Sequence, residues 1–217
     1  MSFITKIVQK RRLNKVSQKV KASITQVGEG LELQNGTRIS LINGSTKDDI
    51  VIHNNIMFLG CHLTSSNHGK IEIGNNVKLG LRSQILCVDN VVIGDYTAIA
   101  TDVTIVDNNN HPINPVYREY MRTTPHNSDV RSWIHSDHKP IIIGKNCWIG
   151  SDVRIQKGVT IGDNSVIAAC SVVTKDVPAN CIVAGNPAKI VKTDIDKIPA
   201  PTSCKEFNDY IASKDGK

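Results

Sequence analysis

Aliphatic residues recur every six positions between residues 143 and 178. The first series is Ile143, Ile149, Ile155, Ile161, Ile167 and Val173, and a second series of small or branched residues lies four positions after each of these. An amphipathic helix would repeat apolar residues every three to four positions, and a half-buried strand every two. A period of six fits one short strand plus one turn, so three such units make a coil of about 18 residues. The pattern therefore predicts a hexapeptide β-helix.

A single coil of this kind cannot bury its aliphatic side chains, so the repeat requires a stack of coils. Successive coils are expected about 4.8 Å apart, the spacing of neighbouring strands in a sheet. Glycine, asparagine and aspartate fall between the aliphatic positions, where corners need a permissive backbone. An ordinary β-sandwich is the less favoured alternative, because it would show alternating strands with turns every 8–12 residues or so.

The repeat organises the chain into a β-helix over residues 26–192 with a segment at each end. It begins loosely at Val27 and becomes regular at Ile73. After Ile105 the next aliphatic position is occupied by His111, and the repeat stops until Ile141. The intervening residues 107–140 are polar and contain four of the seven histidines. We expect a loop extruded from the β-helix here, and such a loop is a natural place for an active site.

Residues 1–25 form a basic segment that is expected to be helical. Residues 1–24 contain seven Lys or Arg and no acid, which accounts for more than the whole net charge of +6, so the charge does not indicate nucleic-acid binding. The apolar residues of this segment fall on two nearly opposite helical faces, which predicts two short helices packed on the body or on a neighbouring subunit. A helix lying on a membrane surface is the less favoured alternative.

Residues 193–217 are expected to form a capping segment. Ser203 and Glu206 have the spacing of a capping box, which predicts a short terminal helix. Its Phe207, Tyr210 and Ile211 would cover the last coil, whose backbone groups would otherwise be unpaired.

The cysteines and the hydropathy pattern indicate a cytoplasmic protein. The six cysteines include no CxxC pair, which is typical of reduced thiols. No apolar run approaches the ~18 residues of a membrane span, and the start lacks the apolar region of a signal peptide.

Three motifs carry a resemblance to a known family: IGDYTAIATDVTIVDNNNHP at 93–112, KPIIIGKNCWIG at 139–150 and VVTKDVPANCIVAGNPAKIVK at 172–192. With them the chain resembles the hexapeptide-repeat acyltransferases, in the branch of the galactoside, maltose and polysaccharide O-acetyltransferases. The resemblance implies a left-handed parallel β-helix, a homotrimer, and acetyl-CoA bound in the groove between neighbouring subunits. It further implies that acetyl is transferred to a hydroxyl of a sugar or polysaccharide precursor, without a metal.

The resemblance also assigns the catalytic residues. His111, in the sequence NHP, matches the base that removes the proton of the acceptor hydroxyl. The backbone N–H of Ser151 matches the donor that stabilises the negative oxygen of the tetrahedral intermediate. Trp148 is expected beside the pantetheine arm of CoA. No Ser or Cys stands in a triad-like setting, so direct attack is expected without an acyl-enzyme, and Cys170 is the one alternative nucleophile.

Further residues match the CoA site of the family. Lys175, Lys189 and Lys192 would meet the phosphates, and Ala169 and Thr174 would line the pantetheine arm. The chain departs from the family where Ala168-Ala169-Cys170-Ser171 replaces GAGS, which could narrow the pantetheine channel, and where Gly80 replaces an acceptor-contacting Asn. The loop also differs, so the acceptor is not implied, and its sugar-contacting candidates are Tyr117, Arg118 and Glu119.

Other functions on the same fold remain open from the sequence. An acetyltransferase that inactivates streptogramins or chloramphenicol would differ only in its acceptor loop. A metalloenzyme similar to the γ-class carbonic anhydrases would need three histidines, and His126, His135 and His138 are the candidates. A β-helix scaffold without catalysis is the third possibility.

Overall fold

The computed structural model describes residues 3–215 of the chain, and the side chains of residues 8–213. Its strands form three sheets. Sheet A contains β1 (Gln26–Val27), β4 (Ile50–Ile52), β7 (Lys70–Ile73), β10 (Asn90–Ile93), β13 (Ile141–Ile143) and β16 (Thr160–Ile161). Sheet B contains β2 (Glu32–Leu33), β5 (Met57–Phe58), β8 (Lys78–Leu79), β11 (Ala98–Ile99), β14 (Trp148–Ile149), β17 (Val166–Ile167), β19 (Ile182–Gly185) and β20 (Ala188–Lys192). Sheet C contains β3 (Arg38–Ile42), β6 (His62–Ser66), β9 (Gln84–Cys87), β12 (Thr104–Val106), β15 (Arg154–Ile155) and β18 (Val172–Val173).

From β1 to β18 the chain visits the sheets in the order A, B, C, and each round makes one coil. In the last coil a single parallel bridge from Val177 to Ile161 takes the place of a strand in sheet A, before β19 joins sheet B. Neighbouring coils pair in parallel, so every sheet is a ladder of equivalent strands. Among the strands of residues 3–215, β20 alone runs antiparallel, beside β19 at the end of sheet B. The all-β repeat predicted from the six-residue period is therefore confirmed. We call the bends between strands the A–B, B–C and C–A corners.

The core is a stack of mainly aliphatic side chains, and most strands of the coils contribute one or two of them. In sheet A, Ile73 pairs with Ile93, Ile93 with Ile143 and Ile143 with Ile161, and all four are buried. Each fully buried Ile or Val contributes about 1.5–3 kcal/mol through removal of apolar surface from water. The residues preceding these face outward and are available for contacts with ligands or other chains.

Residues 107–140 stand between β12 and β13 without joining a sheet. They contain helix α2 (Pro115–Thr123) and two 3-10 turns, Asp129–Arg131 and Trp133–His135. The sheet A pairing passes over them, because β13 pairs directly with β10. The segment lies against the body: Met121 is buried, and the Ser132 hydroxyl contacts the Asn43 and Asn67 side chains at 3.4 and 2.8 Å.

The N-terminal segment is one helix, α1 (Phe3–Ala22), so the prediction of two short helices is wrong. The helix contains no Gly or Pro that would interrupt it. Its second half packs on the first coil through Val16 and Val20, and Ile24 is buried just beyond it. Val8 and Leu13, on the other faces, remain partly exposed, so a change of apolar face does not require a break in the helix.

The C-terminal segment contains a 3-10 turn, Ile195–Lys197, and helix α3 (Lys205–Asp215). Strand β20 covers the edge of β19 in the last coil. Tyr210 and Ile211 of α3 are exposed, which gives no support to the expected cover of the last coil by this helix, and that role stays a prediction.

Candidate active site

The path of the chain into His111 is anchored by a buried aspartate. The Asp107 carboxylate is fully buried and accepts hydrogen bonds from the backbone N–H groups of Val88 and Asp89 at 2.8–3.0 Å. It also accepts from the Asn108 side-chain amide at 3.0 Å. A tight turn follows, in which the His111 N–H donates to the Asn109 carbonyl at 2.7 Å. The first residues of the long segment are therefore fixed to the C–A corner.

His111 has an unusual environment for a histidine. Its Nδ1 is buried and has no hydrogen-bond partner, and among the described residues it is the sole buried side-chain nitrogen or oxygen in that state. Leaving a buried polar atom unpaired costs about 1–3 kcal/mol, so such atoms are rare and usually have a function or a missing partner.

Ser151 lies at the B–C corner of the coil that follows the long segment. Its hydroxyl accepts a hydrogen bond from the Thr101 hydroxyl at 3.1 Å, and its carbonyl accepts one from the Cys170 N–H at 2.9 Å. Within residues 3–215 its own N–H donates to no acceptor. The same holds for the equivalent amides of Leu81, Thr101 and Ala169, so this corner presents a column of free donors.

Gly80, also at the B–C corner, has no space for the Asn that the family carries there. A Cβ atom at Gly80 would lie 2.2 Å from the Ala100 carbonyl oxygen. Any side chain would therefore force the neighbouring backbone to shift, and the acceptor contact made by that Asn has no counterpart at Gly80.

Trp148, Ala169, Lys189 and Lys192 lie on the same side of the molecule as Ser151. Trp148 is 60% exposed and stands outward on sheet B between Ala98 and Val166. Ala169 is exposed at the B–C corner of the next coil, and both lysines are exposed on β20 at the end of sheet B.

Thr174 and Lys175 lie elsewhere, at the C–A corner after β18, where both are exposed. His111 also follows a sheet C strand at this corner. The two corners are separated by the width of sheet C, which is ~16 Å for the five residue-to-residue steps from 151 to 156. The predicted site residues therefore form two groups, and the sheet order keeps the Ser151 group and the His111 group on different corners of a chain.

The sugar-contacting candidates Tyr117, Arg118 and Glu119 lie on α2. The Tyr117 hydroxyl donates to the Val130 carbonyl at 3.3 Å, within the same segment. Arg118 and Glu119 are exposed, and none of the three lines the nearest cleft.

A cleft of about 350 Å³, which we call the sheet C cleft, opens on the outer face of sheet C. Outward side chains of β9, β12 and β15 form its floor, and residues 108–110 with Trp133 form its rim. Sequence reasoning missed these residues. The signal that could have found them is the residue before the aliphatic in the third face of successive coils: Gln84, Thr104 and Arg154.

The histidines considered for a metal have separate partners. His135 Nε2 lies 3.1 Å from Asp129, and His138 Nδ1 lies 3.1 Å from Asp89. His126 is exposed. No set of three His, Cys, Asp or Glu side chains that could hold a metal ion occurs in the described part of the chain.

The cysteines are all free thiols. Burial raises the pKa of Cys61 to about 12 and also raises the pKa of Cys147, so neither supplies a thiolate near neutral pH. Cys170 is exposed and has a left-handed backbone, with φ of 61°, next to the free amide of Ala169. The described helices include none with the length and apolar character needed to cross a bilayer.

The chain is similar in sequence to a known family of transferases and to a known acetyltransferase. The family "Bacterial transferase hexapeptide (six repeats)" matches residues 140–175. The galactoside O-acetyltransferase of Escherichia coli K12 is 41% identical over 122 residues, 56% of this chain and 53% of that enzyme. The chain thus spans about half the length of that relative.

Two further proteins match more broadly. The putative colanic acid biosynthesis acetyltransferase WcaF of Escherichia coli K12 is 31% identical over 129 residues, 58% of this chain and 70% of WcaF. A solved galactoside acetyltransferase in complex with coenzyme A superposes with a TM-score of 0.56 and 26% identity. That superposition covers 91% of this chain and 85% of the other.

Proposed function

Because this chain belongs to the hexapeptide-repeat acyltransferases, we propose that it transfers acetyl from acetyl-CoA to a hydroxyl of a sugar or polysaccharide precursor. The similarity to the galactoside enzyme and to WcaF supports the sugar-modifying branch. The proposal includes a left-handed β-helix, a homotrimer and a cytoplasmic location, where acetyl-CoA is available.

The reaction proceeds by direct attack. His111 accepts the proton of the acceptor hydroxyl as its oxygen attacks the thioester carbonyl of acetyl-CoA. The carbonyl oxygen becomes negative in the tetrahedral intermediate and accepts a hydrogen bond from the Ser151 N–H. The carbon–sulfur bond then breaks, the thiolate of CoA takes the proton from His111, and the acetyl ester leaves with the sugar.

The observation that carries the proposal is the unpartnered Nδ1 of His111. A buried polar atom without a partner is rare and usually marks a functional residue. Because Nδ1 is buried while His111 as a whole is partly exposed, Nε2 is the ring nitrogen that we expect to face the acceptor. Neutral histidine can act as a base near neutral pH because its ordinary pKa lies close to it.

The separation of the two groups of residues supports a site shared by two subunits. Trp148, Ser151 and Ala169 lie at one edge of sheet C, and His111, Thr174 and Lys175 at the other. One molecule of acetyl-CoA contacts both sets if the B–C corner of one subunit meets the C–A corner of its neighbour. Such a head-to-tail contact closes into a ring, as a trimer requires.

The first experiment is a calorimetric titration of the purified protein with acetyl-CoA, followed by acetyl-transfer assays on sugars and chloramphenicol. We expect one binding site per chain and acceptance of sugars. His111→Asn should lower kcat by about 10²–10⁴-fold while acetyl-CoA binding is kept. His126→Asn, an exposed histidine of the same segment, is the matched control. Absence of acetyl-CoA binding, or full activity of His111→Asn, would contradict the proposal.

A second experiment tests the shared site. His111→Asn and Ser151→Pro chains, each inactive alone, are co-expressed at equal levels. A site between subunits predicts recovery of about a quarter of the wild-type activity, because about a quarter of neighbouring pairs combine an intact His111 with an intact Ser151. No recovery in mixed trimers would place both residues in the site of a single chain.

A further inference from the structure

The sheet C cleft contains side chains that acetyl transfer itself does not use. Gln84, Thr104 and Arg154 form one outward column across β9, β12 and β15, at successive strand spacings. Their side chains make no hydrogen bond or ion pair with any residue of the described chain. Neighbouring unpaired polar groups that converge on one cleft are a mark of a ligand site.

We propose that the sheet C cleft binds the acceptor and selects a sugar that carries a carboxylate, with Arg154 as the residue that pairs with it. This inference rests on the proposed function, because it names the class of acceptor for the same active site.

The charge of the cleft favours an anionic ligand. Arg154 is exposed in the cleft, and no Asp or Glu is among the described residues that line it. By contrast, Arg82 on the same β-helix is paired with Asp102. An unpaired guanidinium offers two parallel donors that match a carboxylate. A phosphate carries close to two negative charges, and the cleft presents one arginine, so a carboxylate is the better match.

The remaining surface suits a sugar ring. Leu86 and Val106 form an apolar column beside the polar one, and Trp133 lies on the rim. An aromatic ring can pack on the C–H face of a pyranose while Gln84 and Thr104 hydrogen-bond to its hydroxyls. The volume of about 350 Å³ lies within the range of small-molecule sites.

The position of the cleft connects it to the base. Its rim includes residues 108–110, and His111 is the next residue along the chain. The Asp107 anchor holds this rim in place through its bonds to Val88 and Asp89. A sugar bound in the cleft therefore lies beside the segment that carries the base.

The test compares sugars that differ only in the carboxylate. The probes are the methyl glycosides of glucuronic acid and glucose, and of galacturonic acid and galactose. Binding is followed through Trp133 fluorescence in the full-length Trp148→Phe protein, which leaves Trp133 as the single tryptophan. We expect at least one uronic acid to bind about 10- to 100-fold more tightly than its neutral partner at low salt.

Arg154→Gln should abolish this preference and leave the affinity for the neutral sugars unchanged. Arg38→Gln is the matched control, because Arg38 stands in the same outward column of sheet C but outside the cleft. Arg154→Lys should retain only part of the preference, since a lysine cannot make the paired contact.

Equal affinity for the acidic and neutral members of both pairs would overturn the inference, as would tighter binding of glucose 1-phosphate than of either uronic acid. Calorimetric titration with acetyl-CoA, made on proteins that keep Trp148, separates the two proposals. Normal acetyl-CoA binding without uronic acid preference refutes only the carboxylate selection, whereas loss of acetyl-CoA binding in the unmutated protein refutes the proposed function.

Discussion

The A–B and B–C corners have similar backbones, but they differ in whether the corner backbone N–H has a hydrogen-bond acceptor. At the A–B corner, an acidic or amide side chain from the next coil accepts the exposed N–H. The Asn75 N–H donates to Asp95 at 2.7 Å, and the Lys145 N–H donates to Asp163 at 2.8 Å. At the B–C corner the equivalent amides of Thr101 and Ser151 have no acceptor among the described residues.

The difference shows how one repeat can provide both stability and function. Each capped amide at the A–B corner makes a hydrogen bond that links the corner to the next coil. Each free amide at the B–C corner remains available to a ligand oxygen. Whether a corner amide is capped depends on one residue per coil, the residue that follows the corner glycine. This residue is Asp163 after Gly162 at the A–B corner, but Ser151 after Gly150 at the B–C corner. The comparison therefore predicts activity losses at one corner and stability losses at the capped corners.

Among changes that test the difference between the corners, the largest effect is expected from removal of the free amide at Ser151. Ser151→Pro deletes the N–H and should lower kcat by about 10²–10³-fold. The backbone tolerates proline here, because Ser151 does not have positive φ and Asp152, with φ of 59°, follows it as in a type II turn. Steady-state kinetics with acetyl-CoA and an acceptor measure the loss.

Two controls separate the amide from other effects of this substitution. Ser151→Ala keeps the N–H and should retain near-wild-type kcat. Leu81→Pro removes the equivalent amide two coils away and should also remain active. If Ser151→Pro keeps its activity, the oxyanion donor lies elsewhere.

The next effect is expected at the C–A corner that leads into His111. Asp107→Ala removes a buried carboxylate that caps Val88 and Asp89, and should lower the free energy of unfolding by about 2–3 kcal/mol. Asp107→Asn keeps one acceptor oxygen and should lose less. Urea denaturation followed by circular dichroism measures both variants. An Asp107→Ala protein as stable as the wild type would show that the capping bonds contribute nothing.

A smaller effect is expected at the A–B corner. Asp163→Ala removes the acceptor of the Lys145 N–H and should lower the free energy of unfolding by about 1 kcal/mol, since a single partly exposed hydrogen bond is lost. Activity should be unchanged, in contrast to Ser151→Pro. A large fall in kcat with normal stability would break the distinction between the two corners.

The smallest effect is expected from Asp49, which lies at the C–A corner before β4. We expect its carboxylate to make the free energy of unfolding depend on pH. Burial raises the pKa of Asp49, but hydrogen bonds from Lys70 and the Thr46 N–H outweigh it and leave the pKa below its ordinary value. The carboxylate therefore stabilises the fold above its unfolded pKa near 3.8, and this contribution is lost as the pH falls through the lower folded pKa.

Asp49→Asn should accordingly reduce stability at pH 7 by about 0.5 kcal/mol and flatten the fall of the urea midpoint below pH 4 or so. Asp196→Asn, at an exposed aspartate, should leave the profile unchanged. If the Asp49→Asn profile matches that of the wild type, the Lys70 contact does not affect stability.

The sequence analysis was strongest where one residue type repeats. The stacked Ile residues and the restart of pairing at Ile141 follow directly from the six-residue period, because each aliphatic must meet its equivalent in the next coil. It was weaker where no period applies. Helix α1 is continuous, since packing through Val16 and Val20 tolerates apolar residues on another face. The roles of His111 and Ser151 rest on motif resemblance and stay predictions.

The sequence by itself determined the coil, the core residues and the interruption of the repeat, because a six-residue period allows few other ways to bury an Ile. Only the tertiary structure decided which side chains meet across coils. It brings Gln84, Thr104 and Arg154, which are up to seventy residues apart, into one column beside Trp133, and leaves the Ser151 amide free. These relations depend on register and on the folding back of residues 107–140, which no local pattern encodes.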